Sequence, residues 1–544
     1  MERIVVRPTC YEIHDYEIGQ AEKLERCFQI WNPTYHKLEY FGFYYDQEKK
    51  IAYIGSGNDL WFLRRELNEK FFTKIDPDPY LKTKNILFKA RPRDERQMEA
   101  LRFTTCSGEY EENKYSNQYH LGLSTGVGKT FVSISTIGIY QIKSAIITAS
   151  TTLLAQWADE IKKFTNLTDE DIMFVSGSNH ITMLLSGKSN KAKNASIYLF
   201  THKSLLSYAS QFGWDKITEL FRVLGIGLKF YDEAHSNFEN VLMVDFFTNT
   251  WKTFYVTATL NRSNQDEDKI MWRTFKNVPK LNLWDAEIDP HTNYVAIKYN
   301  SKPTPLDIQK CKNKYGIDLN RYANYITKKK EFYQIMHIVM QMVMNMNGPV
   351  LMYIHTNDGV LRVYKWIAMT YPQFLGDIGI FTSLIESRDL KVKEKKKKII
   401  LTTIKSAGLG EHIEGLAASI VLADPFKSEV LARQSLGRTR DPNTMYIELV
   451  DLGFRYVNKF YHSKLRVFNK YALSVSDVHV DQYELRKRYE NIIKKRIPWK
   501  ECPIELYDER FKFPEDLKVK EDQDPNCPIE FFDEEDLSNW TPIF

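Results

Sequence analysis

The feature that most narrows the fold is an alternation of short apolar runs with amphipathic segments, repeated through two successive stretches of the chain. In the first stretch, from about residue 88 to 289, apolar runs at 144–148, 197–201, 228–231 and 253–257 are bounded by turn residues and separated by segments of helical periodicity. In the second, from about 291 to 454, runs at 350–355, 399–403, 419–423 and 445–450 repeat the pattern. Short runs that are apolar on both faces belong to strands covered on both sides, and strand–helix alternation gives a parallel sheet flanked by helices. The expected class is therefore α/β, with two such domains in tandem. The methionine-rich segment 335–346 precedes the first strand of the second series and is predicted to be a core-facing helix.

The flanks read differently. Residues 1–82 predict a small α+β unit. Leu24, Cys27, Phe28 and Trp31 fall at helical spacing, 41–45 and 51–54 flank a polar turn as a hairpin, and Asn58 is placed to cap a helix whose Leu60, Leu63 and Leu67 share a face. Residues 76–80, with Pro77 and Pro79, read as a linker. The chain thus divides into an accessory unit at 1–82, α/β domains at 83–290 and 291–455, and a C-terminal extension at 456–544. The extension is expected to be helical to about Lys495, after which Pro498, Pro503, Pro514 and Pro528 interrupt any long element.

The net charge of +5 permits a polyanionic partner without requiring one. It is unevenly spread, since residues 515–544 hold ten acidic side chains and two lysines. That tail reads as a solvated end, or alternatively as an acidic shield for a basic groove. Cys10, Cys27, Cys106, Cys311, Cys502 and Cys527 include no CxxC pair, so the cysteines are expected to be reduced thiols in a cytoplasmic setting. No apolar run approaches ~20 residues and the first residues are mixed and charged, so neither a membrane span nor a secretory leader is expected.

Two motifs carry chemistry. Thr125-Gly126-Val127-Gly128-Lys129-Thr130 lies between apolar stretches. Gly126 and Gly128 let backbone N–H groups turn inward around phosphate oxygens, and a helix starting near Lys129 adds its positive end. The Lys129 ammonium can reach the β- and γ-phosphates of ATP, and the Thr130 hydroxyl can ligate Mg²⁺. Leu123 stands where the strict phosphate-loop pattern has glycine or alanine, so the match is to the shorter TGxGKT form. The alternative is a glycine-rich turn with a chance lysine. Further on, Phe230-Tyr231-Asp232-Glu233-Ala234-His235 ends an apolar run, which sets two carboxylates at the strand end where α/β sheets bind ligands. Asp232 is the expected Mg²⁺ ligand and Glu233 the base for an attacking water. An Asp-Glu pair at a strand end is common in isolation, but a phosphate loop upstream makes the two motifs halves of one Mg-ATP site.

At this point the sequence resembles superfamily 2 helicases of the DEAH type, over about residues 90–451. Residues 124–130 look like motif I, 149–157 like motif Ia, 200–202 like Ib, 232–235 like II, and Thr257-Ala258-Thr259 like III; 352–356, 402–410 and 434–438 look like motifs IV, V and VI. The resemblance implies two tandem RecA-like motor domains. It implies that Gln434 and Arg438 reach the γ-phosphate, that Gly410 and Arg440 belong to the nucleotide site, that Gln97 reads adenine, and that His235, Thr257 and Thr259 couple hydrolysis to domain movement. Three positions depart from the family pattern: Asp441 stands where motif VI has its second arginine, with Arg440 one residue early; Asp94 replaces the arginine usual before the adenine-reading glutamine; His412 replaces an acidic residue late in motif V. Within the superfamily the sequence is most similar to the UvsW-type DNA helicases of tailed phages, on the small N-terminal unit with Trp31-Asn32-Pro33 ahead of the motor. That likeness implies DNA repair and recombination work on single-stranded or branched DNA, by a monomer in the host cytoplasm alongside replication or recombination proteins.

By the same resemblance nucleic acid is gripped by backbone and hydroxyl groups on its phosphates, which makes Ser150, Thr151, Thr201, Thr356 and Thr403 candidates. Each could equally cap a helix. The lysine run at 391–398 reads either as a solvated face or as a phosphate-neutralising patch. The motor motifs do not separate DNA from RNA, so an RNA helicase is an alternative, as is a double-stranded DNA translocase serving a larger complex. A silent nucleotide-binding scaffold is disfavoured by the intact Lys129, Asp232, Glu233 and Arg438.

Overall fold

The computed structural model describes residues 2–480 apart from 33–35, 124–126, 188, 236, 258–264, 284–291, 314–315, 386–387, 408–412, 414, 429–431, 433–434 and 437–443. The chain forms two compact units, Met1–Glu287 and Ile288–Phe544.

The first unit begins with seven short strands: β1 (Ile4–Val6), β2 (Cys10–Ile13), β3 (Gln29–Asn32), β4 (Lys37–Tyr40), β5 (Phe43–Asp46), β6 (Ile51–Gly55) and β7 (Thr73–Lys74). Five of them make a sheet in the order β5-β6-β2-β1-β7, while β3 and β4 pair separately. The expected hairpin is present, with Phe43 opposite Ile54 and Asp46 opposite Ile51. Two local expectations are corrected. The helix carrying Leu24 stops at Arg26, because Phe28 turns its carbonyl to the N–H of Phe41 (2.7 Å) and Trp31 passes into β3 with over half its surface exposed. Helix Leu60–Leu67 is capped by Asp59, whose carboxylate accepts the N–H groups of Trp61 and Phe62 at 3.0 and 3.2 Å. Asn58 cannot cap it, because its side-chain amide is turned back to donate to the Gly55 carbonyl (2.8 Å).

Next comes a seven-stranded parallel sheet of β8 (Gln118–Leu123), β9 (Ser144–Thr148), β10 (Ile172–Val175), β11 (Ile197–Thr201), β12 (Leu228–Asp232), β13 (Lys252–Thr257) and β14 (Lys280–Leu283), in the order β10-β11-β9-β12-β13-β8-β14. Side chains alternate across it with period two. Ile147, Phe200, Tyr231 and Tyr255 share one core with Ile4, Ile13, Phe43 and Ile54 of the N-terminal sheet. Ile146, Leu199, Phe230 and Phe254 share the other with Val132 and Ile134 of helix Lys129–Tyr140 and Trp157 of helix Thr151–Phe164. The N-terminal strands therefore cover one face of the sheet, and helix Lys129–Tyr140 covers the opposite face.

A buried ion pair ties the first face together. Lys229 Nζ lies 2.6 Å from Asp245 Oδ1, and both side chains are fully enclosed. Tyr231 and Tyr255 donate their hydroxyls to the same carboxylate at 2.8 and 2.6 Å, and Thr9 donates to the Asp245 carbonyl at 2.8 Å.

The second unit repeats the parallel architecture. Its strands are β15 (Thr292–Tyr299), β16 (Lys312–Asn313), β17 (Gly316–Ile317), β18 (Val350–Ile354), β19 (Ile378–Phe381), β20 (Ile399–Thr402), β21 (Ala418–Ala423), β22 (Thr444–Asp451) and β23 (Ser474–His479). Seven form a sheet in the order β19-β20-β18-β21-β22-β15-β23, and β16 and β17 make a small antiparallel pair. The methionine-rich helix, Lys330–Met344, buries Ile335, Met336, Val339, Met340 and Val343, as its pattern requires. One expectation is corrected here too. Among the described residues the C-terminal extension is helical over Arg455–Tyr471 and then, instead of continuing as helix, adds an edge strand beside β15. The reversal has a cause in the helix's own anchor: Lys464 is buried against Glu448 of β22, which brings the chain back to the sheet edge. The rest of the expected helix, to Lys495, lies outside the described residues.

Replacing Asp245 by alanine leaves the Lys229 ammonium buried without its counter-charge and removes the carboxylate acceptor of the Tyr231 and Tyr255 hydroxyls, Tyr231 keeping only the Val241 carbonyl at 3.2 Å. Breaking one side of such a pair costs about 3–5 kcal/mol. A chemical-denaturation midpoint for Asp245→Ala is expected to fall accordingly, and a midpoint equal to that of the parent would show that the network does not carry the core.

Candidate nucleotide site

Three neighbouring strands build the site. β13 lies between β8 and β12, with Thr257 opposite Gly122 of β8 and Val256 opposite Asp232 of β12. The phosphate-loop sequence follows β8, the Asp-Glu pair ends β12, and Thr257 ends the strand between them. Strand parity sets Asp232 on the face of Phe230, which is the face covered by the Lys129 helix. The two motifs identified in the sequence therefore meet on one side of one sheet.

Thr125 and Gly126 lie outside the described residues, but the end of the loop is described. Gly128 has φ +96° and directly precedes helix Lys129–Tyr140. Glycine is favoured there because the conformation is left-handed, and a Cβ would in addition displace the side-chain amide of Gln97. Gln97 is buried, donates to the Val127 carbonyl (2.7 Å) and accepts the N–H of Arg93 (2.7 Å). Asp94, the residue that departs from the family pattern, caps helix Glu95–Thr105 by accepting the Gln97 N–H at 3.0 Å. Thr130 stands half-buried in the first turn of the Lys129 helix. Leu123 is fully buried, so the position held by glycine or alanine in the strict loop pattern is here part of the core.

The Lys129 ammonium makes an ion pair with Glu233 Oε1. Glu233 has φ +53°, an unusual conformation for a residue with a Cβ, and is buried. Its other oxygen, Oε2, lies 3.4 Å from His235 Nδ1 and 3.5 Å from Thr257 Oγ1, and those two atoms share a hydrogen bond of 2.6 Å. A continuous polar chain thus runs from Lys129 through Glu233 to His235 and Thr257. Asp232 is half-buried and accepts the indole N–H of Trp157 at 3.1 Å. Desolvation raises the Asp232 carboxyl above the usual carboxylate range, against the opposing pull of Lys129 and with a further push from Glu233. Trp157 was noticed in the sequence only as the end of a motif; a tryptophan N–H must find an acceptor when buried, and that is the signal that could have pointed to it.

The candidate polymer-binding hydroxyls take part in capping. Ser150, Thr201 and Thr356 follow β9, β11 and β18 as N-caps, accepting from Leu153 N (3.4 Å), Ser204 N (3.1 Å) and Gly359 N (3.2 Å). Thr403 after β20 accepts from Ser406 N at 3.1 Å. Thr151 is exposed in the first turn of its helix. In the lysine run, helix Arg388–Glu394 ends at Glu394, which is buried and accepts the N–H of Ile380 (3.0 Å), while Lys397 and Lys398 donate to the carbonyls of Gly376 and Met346. Lys393 and Lys396 are exposed. Thr259, Gly410, His412, Gln434, Arg438, Arg440 and Asp441 lie outside the described residues.

Two parallel-sheet α/β units with an N-terminal α+β region are the fold of tandem RecA-like helicase cores. Residues 89–262 match the helicase-type family described as Type III restriction enzyme, res subunit. The chain is similar to the structure of Mss116p bound to single-stranded RNA and AMP-PNP, at 14% identity and a TM-score of 0.50 over 73% of this chain and 80% of that one. It is similar also to S. cerevisiae Dbp5 bound to RNA and ADP BeF3 (12% identity, TM-score 0.47, 73% of this chain and 97% of that one) and to T4 UvsW (12% identity, TM-score 0.31, 88% of this chain and 99% of that one). No curated protein matches the sequence. Among the described residues no helix is long and apolar enough to cross a membrane.

Gly128→Ala is expected to destabilise the fold by about 1–3 kcal/mol, the range for a strained left-handed residue, and to lower nucleotide affinity with it. Thermal melting with and without ATP reads both effects. An unchanged melting temperature would mean that the loop does not hold this conformation.

Proposed function

We propose that this chain is an ATP-hydrolysing motor of superfamily 2, of the DEAH type and most like the UvsW-type enzymes, that unwinds or remodels branched DNA in repair or recombination in the cytoplasm. The observation that carries the reading is the convergence of Lys129, Asp232, Glu233 and Thr257 at the ends of three adjacent strands. The donor set fits a Mg-nucleotide. The helix N-terminus and Lys129 bind the phosphates, and the left-handed Gly128 gives them close backbone approach. Asp232 and Thr130 would hold Mg²⁺, which supplies charge neutralisation on the phosphate oxygens. Gln97, fixed by Val127 and Arg93, stands beside the loop as the adenine-side group. Glu233 orients water and takes its proton. Its partners His235 and Thr257 pass any shift of that carboxylate to the end of β13, and so toward Thr259. The resemblance assigns Gln434 and Arg438 to the γ-phosphate, Gly410 and Arg440 to nucleotide binding, and Ser150, Thr151, Thr201, Thr356 and Thr403 to the polymer track through their helix N-termini. Residues 1–82 serve as an accessory nucleic-acid-binding part and 456–544 as an extension of the second motor.

ATP hydrolysis measured without polymer, with single-stranded DNA, with forked DNA and with RNA tests the proposal. Forked DNA is expected to stimulate most, and Glu233→Gln to reduce turnover by about 10²–10⁴-fold, the usual worth of a positioned base. Stimulation by RNA alone would remove the DNA reading and leave the motor; no stimulation by any polymer, or full activity in Glu233→Gln, would remove the motor.

The lysine patch has its own test. Replacing Lys393 and Lys396 together by alanine is expected to flatten the plot of log affinity against log salt by about 1.5, since each lost phosphate contact removes roughly 0.7–0.9 from the slope. An unaltered slope would make the patch a solvated surface.

A further inference from the structure

A groove of about 520 Å³ opens between helices His202–Phe212 and Phe238–Phe246 of the first unit. It is lined by His202, Leu206, Ser207, Ser210, Trp214 and Asn240, with the exposed Lys203 on its rim and no carboxylate among its described lining residues. Positions 203, 207 and 210 recur at helical spacing, so one helix face makes a whole wall. The groove lies at the C-terminal ends of β9 and β11, the sheet edge at which parallel α/β folds take their ligands.

His202 is the informative residue. It is 2% exposed, and neither ring nitrogen has a hydrogen-bond partner among the described residues. Its ring lies parallel to Tyr231 with centroids 5.8 Å apart, which fixes its plane. Burial lowers its pKa to about 4, so at neutral pH it offers one N–H donor and one bare acceptor. A buried donor and acceptor left unmatched are unfavourable, and native structures rarely keep them without a ligand or water to meet them. The rest of the groove repeats that mixture. Trp214 stacks on Phe247 by one face (4.9 Å, 15°), and the exposed Ser207 and half-buried Asn240 add polar side chains to the lining.

We propose that this groove takes one unstacked nucleobase of the strand on which the motor acts. The inference rests on the nucleic-acid motor reading above and adds a base-holding subsite to it. A base brings a flat apolar ring with donors and acceptors on its edge, which Trp214 and Leu206 meet by contact and His202, Ser207, Ser210 and Asn240 by hydrogen bonding. The phosphate attached to that base falls to Lys203 and the N-terminus of its helix. A free nucleotide has the same chemistry, but the groove is open along its length rather than closed over, which suits a base that remains tied to its chain.

The test is fluorescence anisotropy with the full chain, using a single-stranded oligonucleotide and an abasic strand of equal length, in DNA and in RNA. The intact strand is expected to bind about tenfold tighter than the abasic one, in line with the worth of one stacked base. Ser210→Trp fills the groove, and Asn240→Leu removes its amide at nearly constant size; both are expected to bring the ratio close to one while the abasic strand binds as before. A ratio of one in the parent chain, or a ratio unmoved by both variants, overturns the proposal. Saturable binding of thymidine monophosphate alone, with no preference for the intact strand, assigns the groove to free nucleotide and overturns it as well. If neither strand binds and neither stimulates ATP hydrolysis, the motor reading fails and takes the subsite with it, an outcome distinct from equal binding of both strands.

Discussion

The placement of one strand governs the first unit. β13 separates β8 from β12, so the phosphate-loop strand and the carboxylate strand stand two strand spacings apart, about 10 Å. That gap is too wide for direct backbone contact and is spanned by one long side chain, Lys129, whose ammonium reaches Glu233. It also leaves room for the end of β13 itself, where Thr257 joins Glu233 and His235. A different strand order would have left the same motifs as two unrelated turns. The parallel sheet, the positive φ of Glu233 and the left-handed Gly128 all serve this meeting of side chains on one face.

The opposite face of the sheet explains what the N-terminal strands contribute. Period-two alternation sends Tyr231 and Tyr255 away from the nucleotide side, toward Asp245 and Lys229. Thr9, between β1 and β2, donates to the carbonyl of the same Asp245. The first eighty residues therefore share a core and a hydrogen-bond network with the seven-stranded parallel sheet rather than hanging from it. A buried carboxylate with a lysine, two phenols and no water-facing edge favours one register, because any slip would strand a charge.

The sequence was legible where side-chain pattern and backbone need coincide. Central strands such as Ser144–Thr148 and Ile197–Thr201 are apolar on both faces and show as continuous runs, and the loop and carboxylate motifs have spacing that few other structures need. It was less legible at the edges. β14 is Lys-Leu-Asn-Leu with only its leucines buried, and β23 is exposed throughout, so neither forms an apolar run. β8 is fully buried yet carries Gln118 and His120, and the tertiary partner that satisfies Gln118, the Tyr255 hydroxyl at 2.7 Å, is invisible to local reading. Asn58 lost the cap to Asp59 because its amide is held by the carbonyl of Gly55, three residues earlier. Trp157 was missed as a site residue because its role depends on a contact across the fold to Asp232.

The pairing of Lys129 with Glu233 has a mechanical consequence. Glu233 is held in a strained backbone conformation, and a strained residue persists only when its surroundings over-determine it. The surroundings here are the Lys129 ammonium on one carboxylate oxygen and His235 with Thr257 near the other. Under the proposed function, an anionic phosphate would compete with Glu233 for Lys129, so nucleotide and base would draw on the same cation. A phosphate that took Lys129 would free Glu233 Oε1 to accept from water while Oε2 kept its partners. Under the proposed function, the general base and the sensor would be one residue, with strain at Glu233 as the link between the loop and the end of β13.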